Sequence, residues 1–369
     1  MKIAQIAPLI ESVPPRLYGG TERIVFWLTE ELVRLGHEVT LFASADSMTS
    51  AELVPCTAQA LRLNPSVKDP VPYYMLMLDR VRRRAGEFDF LHFHIDQLHF
   101  PLFRDIAART LTTLHGRQDL PDLPPLYFGF DEMPLASISQ SQRKPIPHAN
   151  FAATVHHGLP LDLHKPIFQP RGGYVAFLGR ISPEKGPEHA IEIARALGVP
   201  LKIAAKIDKV DESYFEATIK PILDGPGVEF IGEINDTQKN EFLGEARALL
   251  FPIDWPEPFG LAMIEAMACG TPVLAFGNGS VSEMIDEGVT GRIVDTTEQA
   301  VSALPQVLAL DRRAVRRRFE ERFSATRMAK DYVNVYRKLL QRAPALEERT
   351  ETPNVETIES TNNPTNGHS

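Results

Sequence analysis

Two glutamates eight residues apart, Glu257 and Glu265, lie in a segment that reads PEPFGLAMIEAMACGTP. The apolar residues after Gly260 predict a helix from Leu261 to about Ala268. An unpaired carboxylate in so apolar a helix is costly. Glu265 is therefore expected either to have a partner within the protein or to accept hydrogen bonds from a ligand, such as the hydroxyls of a ribose.

The spacing of these two glutamates separates their roles. Eight residues of helix rise by about 12 Å, whereas the carboxylates of a hydrolytic pair lie roughly 5–9.5 Å apart. Glu257 and Glu265 are therefore expected to do separate jobs at the two ends of one elongated ligand. Gly260, which lies between them, lets the backbone approach that ligand closely.

A second candidate loop reads GRISPEKGP, and it follows a predicted strand and opens a predicted helix. Its Arg180 and Lys185 are five residues apart, so a guanidinium fork and a point charge together suit a diphosphate. The alternative is a surface loop on which Lys185 and Glu184 are merely solvated. A diphosphate is favoured because a similar turn occupies the matching place in the first half of the chain.

That similar turn is Gly19-Gly20 in the sequence YGGTER, between the first predicted strand and a helix predicted over about residues 21–35. Two glycines let the backbone approach a ligand, and a helix N-terminus offers free N–H groups to an anion. A tight strand-to-helix turn without a ligand explains the same residues. Gly19-Gly20 alone therefore does not decide between the two interpretations.

The predicted elements indicate an α/β fold, because strand-like runs alternate with helical stretches along the chain. Strands are predicted in the first half at residues 2–7, 38–42, 90–94, 110–114 and 135–138. The second half is predicted to have strands at 174–178, 201–205, 228–231, 249–252 and 272–275, and further helices at 188–197 and about 281–287. Two successive α/β halves predict a cleft between domains, which is a common ligand site.

The boundaries follow from a proline-rich stretch at 158–173, which reads as an interdomain linker. We predict a first Rossmann-like domain over 1–160, a linker over 161–173 and a second Rossmann-like domain over 174–324. A helix over 325–342 is expected to cross back onto the first domain. The polar residues 343–369 are expected to form a disordered tail without a role in chemistry.

Composition narrows the class of protein. The net charge of −9 argues against a general nucleic-acid surface. The two cysteines, Cys56 and Cys269, fit neither a disulfide framework nor a metal cluster and agree with a reducing compartment. The N-terminus lacks the features of a signal peptide, and no stretch is long enough to span a bilayer. A cytoplasmic setting is expected, while peripheral membrane contact and the oligomeric state are left open.

A metal ion is not required by these residues. His92 and His94 share a face of a predicted strand and make a metal site conceivable, but hydrogen-bonding roles for them and for His99 are favoured. The chain has no Asp-x-Asp, the pattern with which another transferase fold holds a cation on a diphosphate. Here Arg180, Lys185 and helix N-termini are expected to neutralise such a group.

The segment Glu257–Glu265 matches the E-x7-E pattern of retaining glycosyltransferases with the GT-B fold. The longer sequence around it, EPFGLAMIEAMACGTPVLA, closely resembles the corresponding segment in family 4 of these enzymes. The Gly19-Gly20 turn, the GRISPEKG loop, TLHG at 113–116, SIS at 137–139 and VHHGLP at 155–160 fall in that family's order. The resemblance covers roughly residues 1–340 and implies two Rossmann-like domains that face each other across a cleft.

The resemblance also implies roles for matching residues. Arg180 and Lys185 match the pair that binds the nucleotide diphosphate, Glu265 the residue that binds the ribose hydroxyls, and Glu257 the residue that faces the donor sugar. The remaining matches are Gly20 near the β-phosphate or acceptor, His115 near the transferred sugar, and the amides of Phe259, Gly260 and Leu261 around the sugar and phosphate. Many relatives have Asn before the glycine of VHHGLP, so no role is carried over to His157.

The implied reaction moves a hexose from a nucleoside-diphosphate sugar to an acceptor, with retention at the anomeric carbon and without a cofactor or metal ion. UDP-glucose is the first guess for the donor, and the acceptor, expected on the first domain, is unknown. Two alternatives stay open. One is a sugar-nucleotide epimerase or a phosphorylase on the same fold, and the other is a non-catalytic binding protein.

Overall fold

The protein is described from a computed structural model. It covers residues 1–16 and 19–350, with side chains as far as residue 342. Tyr18 of the YGGTER turn and residues 351–369 of the predicted tail lie outside the described residues. The described chain contains two parallel sheets, one in each half, with helices packed around them.

The first sheet has seven strands in the order β3-β2-β1-β4-β5-β6-β7. The strands are β1 (Lys2–Ile6), β2 (Glu38–Ser44), β3 (Glu52–Thr57), β4 (Phe90–Phe93), β5 (Thr110–Thr113), β6 (Leu135–Ser137) and β7 (Phe151–Thr154). The α-helices are α1 (Gly20–Arg34), α2 (Val71–Arg84), α3 (Phe100–Phe103) and α4 (Leu123–Gly129), and 3₁₀ turns span Leu61–Leu63, Ala85–Glu87, Arg104–Arg109 and Ser141–Arg143.

The second sheet has six strands in the order β10-β9-β8-β11-β12-β13. The strands are β8 (Val175–Arg180), β9 (Leu201–Lys206), β10 (Val228–Gly232), β11 (Leu249–Phe251), β12 (Val273–Phe276) and β13 (Gly291–Val294). The helices are α5 (Pro187–Ala196), α6 (Glu212–Tyr214), α7 (Lys220–Leu223), α8 (Asp236–Gly244), α9 (Leu261–Ala268), α10 (Val281–Met284), α11 (Thr297–Val307) and α12 (Arg312–Arg322). A π-helix spans Phe215–Ile219, and 3₁₀ turns span Pro183–Lys185 and Lys209–Asp211.

The last helix, α13 (Ala325–Thr350), returns to the first domain and extends beyond the predicted residue 342. Its Thr326 hydroxyl lies 2.8 Å from Arg34 Nη2 at the end of α1, and its Tyr336 ring stacks on Phe90 of β4. The chain therefore passes between the domains twice. The predicted fold, two facing Rossmann-like domains with a helix that crosses back, is confirmed.

The two passages between domains lie side by side. The Leu159 amide donates to the Phe323 carbonyl at 2.8 Å, and the Ala325 amide donates to the Leu159 carbonyl at 2.8 Å. A Cβ at Gly158 would lie 2.3 Å from the Ser324 carbonyl oxygen. Glycine is therefore required at this point, because any side chain would push the two passages apart.

Three strands were missing from the sequence prediction, and all three lie at sheet edges. These are β3 and β7 in the first sheet and β13 in the second. Their residues are mostly half-buried, whereas β4 and β5 are buried throughout. Edge strands consequently lack the continuous apolar run that marks the centre of a parallel sheet. The predicted central strands and the helices α1, α5 and α9 agree with the structure to within two residues.

Candidate active site

A cavity of about 460 Å³ lies between the two domains, where the carboxyl ends of both sheets face each other. This volume is within the range of small-molecule sites. Every residue that the sequence assigned to the site contributes to its lining. These residues are Gly20, His115, Arg180, Lys185, Glu257, Phe259, Gly260, Leu261 and Glu265.

The loop that leads into α9 is held by hydrogen bonds to its carbonyl groups. The Ser280 amide donates to the Glu257 carbonyl at 2.9 Å, and the Ser280 hydroxyl donates to the Phe259 carbonyl at 2.9 Å. The Ser139 hydroxyl, from the first domain, donates to the Pro258 carbonyl at 2.6 Å. With its carbonyls bound on the protein side, the loop is fixed in place next to the cavity.

The amides of the same loop are available to a ligand. Among the described residues, no hydrogen bond is donated by the N–H groups of Phe259, Gly260 and Leu261. Gly260 has φ of 82°, and a Cβ there would lie 2.5 Å from Met263 Cε. The left-handed turn that places these donors at the N-terminus of α9 therefore requires glycine. Such a helix end attracts an anion.

Glu257 is buried and lies against a cation and an indole. Its carboxylate forms an ion pair with Lys185 and accepts a hydrogen bond from Trp255 Nε1 at 2.9 Å. The Lys185 ammonium also lies 5.0 Å from the centre of the Trp255 ring, a cation–π distance. The residues assigned to the diphosphate and to the donor sugar are therefore direct neighbours.

Arg180 lies among three carboxylates of its own domain. Its guanidinium is 2.8 Å from Glu184, 3.4 Å from Asp208 and 3.9 Å from Asp211. Lys206 also pairs with Asp208, at 2.8 Å. A bound diphosphate would have to take over part of the hydrogen bonding that these carboxylates now supply.

Glu265 pairs with a different cation from the one that pairs with Glu257. Its carboxylate accepts a hydrogen bond from the Lys239 ammonium of α8 at 2.8 Å, and its side chain is only 6% exposed. Burial opposes ionisation, but the charges of Lys239 and its surroundings outweigh this and lower the pKa of Glu265. Glu265 is therefore an ionised acceptor at neutral pH.

One step in the spacing argument was wrong. The estimate of 12 Å between Glu257 and Glu265 assumed helix throughout, but α9 begins at Leu261, and Glu257 lies in the preceding loop. The helical rise therefore does not fix their separation. Their separate cation partners, Lys185 and Lys239, nevertheless place the two carboxylates in distinct parts of the cavity.

An ion pair between the domains lies next to Glu265. Asp236 at the start of α8 pairs with Arg23 of α1 across the cavity, and it lies 3.5 Å from the Lys239 ammonium. These charges lower the pKa of Asp236 in spite of its partial burial. The Glu265 carboxylate is thus connected through Lys239 and Asp236 to the opposite domain.

We expect Asp236→Asn to weaken domain closure, because Arg23 loses a carboxylate that spans the cavity and ion pairs with geometric support are worth more than exposed ones. The ligand-free variant should show a larger radius of gyration in solution X-ray scattering. The matched control is Asp79→Asn, which removes an exposed pair with Arg83 within α2. Equal radii for the two variants would contradict this role of Asp236.

His115 lines the cavity next to two other ring side chains, those of His157 and Phe259. Its ring is nearly parallel to that of His157, with centres 5.3 Å apart, and His157 in turn lies 4.8 Å from Phe259. Burial lowers the pKa of His115 to about 3. His115 is therefore a neutral hydrogen-bonding group at this wall of the cavity.

The histidines considered as metal ligands have other partners. His92 bonds to Tyr336 and Thr113, and His94 bonds to His115 and Gln5. Among the side chains that the structure describes, no group of three or more His, Cys, Asp or Glu is placed to hold a metal ion. His92 and His94 are therefore components of a hydrogen-bonded network.

Three residues of the site were missed in the sequence. Lys239 lies on α8, a helix that was not predicted, although Asn235 and Gln238 form a capping box at its start. Trp255 immediately precedes the Pro256–Glu257 step and is one of two tryptophans. Asp236 gave no signal, because its partner Arg23 is more than 200 residues away in the chain.

Comparison with known proteins defines the class. A family model described as Glycosyltransferase Family 4 matches residues 18–156, and one described as Glycosyl transferases group 1 matches residues 164–323. Two facing Rossmann-like domains with a ligand cavity between them are the GT-B architecture, so the fold and the matched models define a GT-B glycosyltransferase. The chain belongs to family 4 of the glycosyltransferases.

Curated relatives show how far the similarity extends. An α-maltose-1-phosphate synthase of Mycolicibacterium smegmatis is 30% identical over 49% of this chain and 50% of its own length. The chain spans half or less of the length of the first curated relatives it matches. The O-antigen chain mannosyltransferase C of Escherichia coli is 24% identical over 89% of this chain and 96% of its own length.

Solved structures share the fold at low sequence identity. AviGT4, a glycosyltransferase involved in avilamycin A biosynthesis, superposes with a TM-score of 0.71 at 23% identity over 92% of this chain and 98% of its own. Anabaena HepE in complex with UDP and glucose superposes with a TM-score of 0.67 at 17% identity over 94% of this chain and 100% of its own. None of the described helices is long and apolar enough to cross a membrane.

Proposed function

We propose that the protein transfers a hexose from a nucleoside-diphosphate sugar to an acceptor, with retention at the anomeric carbon. The observation that supports this most is the arrangement of the cavity. Free amides at the N-terminus of α9 lie between two carboxylate–lysine pairs, Glu257–Lys185 and Glu265–Lys239. An elongated ligand with hydroxyls at both ends and negative charge between them complements this arrangement.

The donor is proposed to lie mainly on the second domain. Glu265, ionised and oriented by Lys239, accepts hydrogen bonds from the ribose hydroxyls. Arg180, Lys185 and the α9 amides bind the diphosphate without a metal ion. Glu257, next to Lys185, faces the sugar. UDP-glucose is the first donor to test, since UDP and glucose are the ligands named for the HepE structure.

The reaction depends on charge that develops on the leaving diphosphate. When the bond to the anomeric carbon breaks, Lys185 and the amides before α9 stabilise the new negative charge, and fixed donors of this kind provide large rate enhancements. Lys185 must then shift some of its interaction from Glu257 to phosphate. We assign no covalent nucleophile. The acceptor hydroxyl attacks the anomeric carbon from the face that the diphosphate leaves, and its proton passes to the leaving phosphate.

The acceptor is proposed to bind on the first domain, close to Gly20 and His115. Gly20 lies opposite Leu261 at the start of α9, and a Cβ there would be 3.4 Å from Leu261 Cδ1. This close approach brings the acceptor domain to the sugar and phosphate end of the donor. The protein is proposed to act in the cytoplasm.

One experiment separates transfer from the two alternatives. Nucleotide sugars are screened by thermal shift, because a true donor stabilises the folded protein, and each hit is then incubated with a panel of acceptors. UDP released only with acceptor, together with a product of unchanged anomeric configuration, is the expected result. Interconversion of the donor sugar without acceptor would indicate an epimerase. Binding without any turnover would indicate a non-catalytic protein.

Glu265→Gln should raise the Kd for UDP about tenfold, because a hydrogen bond to a charged acceptor contributes more than one to a neutral amide. Calorimetric titration of UDP measures this directly. The control is Glu241→Gln on the exposed side of α8, which should leave the Kd unchanged. Unaltered UDP binding by folded Glu265→Gln would remove Glu265 from the ribose site.

A further inference from the structure

A continuous chain of buried hydrogen bonds connects α13 to His115. Nε2 of His115 lies 2.9 Å from Nδ1 of His94, and Nε2 of His94 lies 2.8 Å from Oε1 of Gln5. The carboxamide nitrogen of Gln5 donates to the Tyr336 hydroxyl at 3.4 Å. That hydroxyl lies 2.7 Å from Nδ1 of His92.

Gln5 gives this chain a direction. Its Oε1 can only accept, so Nε2 of His94 must carry the proton of that ring. A neutral imidazole has one N–H, so Nδ1 of His94 is an acceptor. The hydrogen bond between the two histidines can then form only if Nε2 of His115 is protonated. Nδ1 of His115, which bonds to no described residue, is left with its lone pair.

Burial supports the assumption that each ring carries a single proton. His92 and His94 are almost completely buried. Burial, reinforced by neighbouring histidines, keeps the pKa of both well below the ordinary value. Each ring is therefore neutral and carries one proton.

Within this series of hydrogen bonds, Tyr336 holds the side-chain carboxamide of Gln5 in one orientation. If Gln5 turned over, its amide would face His94, and every proton between Gln5 and the cavity would move to the other nitrogen. The Tyr336 hydroxyl accepts from the Gln5 amide on one side and bonds to His92 on the other. Thr113 Oγ1 donates to the Tyr332 hydroxyl at 3.0 Å, so it accepts from Nε2 of His92, and Nδ1 of His92 accepts the Tyr336 proton. The Tyr336 hydroxyl can then only accept from Gln5, and Oε1 of Gln5 faces His94.

We propose that Gln5, His94 and Tyr336 are positioning residues that fix His115 in the tautomer with a proton on Nε2. His115 then presents Nδ1 to the cavity as an acceptor for a ligand hydroxyl. That the hydroxyl belongs to the donor sugar rests on the proposed function. The helix that crosses back onto the first domain thus contributes to the site through Tyr336.

Nitrogen NMR of the ligand-free full chain, labelled with ¹⁵N-histidine, tests the tautomer without any need for activity. The expected spectrum of His115 shows a protonated Nε2 and an unprotonated Nδ1. The opposite tautomer, or an even mixture, would overturn the proposal. Because no substrate is present, this result does not depend on whether the protein transfers sugars.

Tyr336→Phe tests the role of the helix. Loss of the hydroxyl should release Gln5, so that His115 becomes a mixture of tautomers. If UDP-glucose is the donor, kcat/KM should fall about tenfold while the Kd for UDP, which lacks the sugar, stays unchanged. The matched control is Tyr127→Phe, which removes a buried hydroxyl that donates to Gln118, outside this chain of hydrogen bonds, and should preserve the tautomer.

The outcomes of the variants are distinguishable. An unchanged His115 tautomer in Tyr336→Phe, or the same mixture in both tyrosine variants, would overturn the role of Tyr336. A fixed tautomer in the wild type together with no turnover of any nucleotide sugar would leave the positioning chain intact. That combination would instead contradict the proposed function.

Discussion

Replacing Lys185 or Arg180 by alanine should lower kcat/KM for the donor between about 100- and 1,000-fold, which is the cost typical of removing a donor that stabilises developing negative charge. The loss of activity is enlarged by the carboxylates that each substitution leaves without their cation. Without Lys185, the buried Glu257 carboxylate loses its ion pair. Without Arg180, three carboxylates lose their shared cation. In both variants, unbalanced negative charge would repel a diphosphate.

Two measurements check this prediction. Calorimetry should show that each variant binds UDP at least tenfold more weakly, and the initial rate of UDP release with acceptor should fall by the larger factor. The control is Lys220→Ala, which removes an exposed lysine paired with Glu216 on the preceding turn and should change neither quantity. Wild-type affinity for UDP in a folded Arg180→Ala variant would remove Arg180 from the diphosphate site.

The free energy of unfolding should decrease steeply as the pH falls below about 6.5, the pKa of histidine in the unfolded chain. Burial holds the pKa of His92, His94 and His157 well below that value and lowers the pKa of His99 and His115 to about 3. These histidines therefore bind protons in the unfolded chain at a pH at which they stay neutral in the folded chain. The stabilisation is complete above pH 6.5 and is lost as the pH falls.

The size of the loss can be estimated. Each such histidine costs up to about 1.4 kcal/mol per pH unit, so the five together cost up to about 7 kcal/mol per pH unit. That is a large part of the 5–15 kcal/mol by which proteins are usually stable. Urea unfolding at pH 7.5, 6.5 and 5.5 measures this loss, which should appear mainly in the last interval.

A variant that removes one titrating group tests the cause. His99 stacks on Phe93 and bonds to Thr112, so His99→Phe keeps the ring shape and should reduce the slope below pH 6.5 by about a fifth. Phe103→Leu, which alters the packing against His99 without removing a titrating group, should leave the slope unchanged. A slope that is the same in the His99 variant would assign the acid sensitivity to other groups.

The donor side of the site could be predicted because it is encoded locally. Gly260, the helix that follows it and Glu265 lie within a few residues, and the backbone geometry of a loop and a helix start follows from short-range sequence. The central strands were predicted for a similar reason, since strands buried on both faces are continuously apolar. Edge strands such as β7 lack this continuous apolar run, and α8 was missed although the capping box of Asn235 and Gln238 marks its start.

The partners of the site residues could not be predicted, because they come from distant parts of the chain. Lys239 approaches Glu265, and Arg23 approaches Asp236, only after two domains have formed and closed on each other. The distance argument for Glu257 failed for a different reason. It counted the residues between Glu257 and Gly260 as helix, although the helix was predicted to begin, and does begin, at Leu261.

By itself, the sequence determined two α/β halves, the family and the residues that line the second domain's side of the cavity, because each depends on periodicity or on short motifs. Only the tertiary structure decided which groups pair with them. It joined Lys185 to Glu257, connected His115 through His94 and Gln5 to Tyr336, and left the α9 amides open to the cavity. Hydrogen bonds and ion pairs of this kind depend on atoms brought together by packing, and no spacing along one chain specifies them.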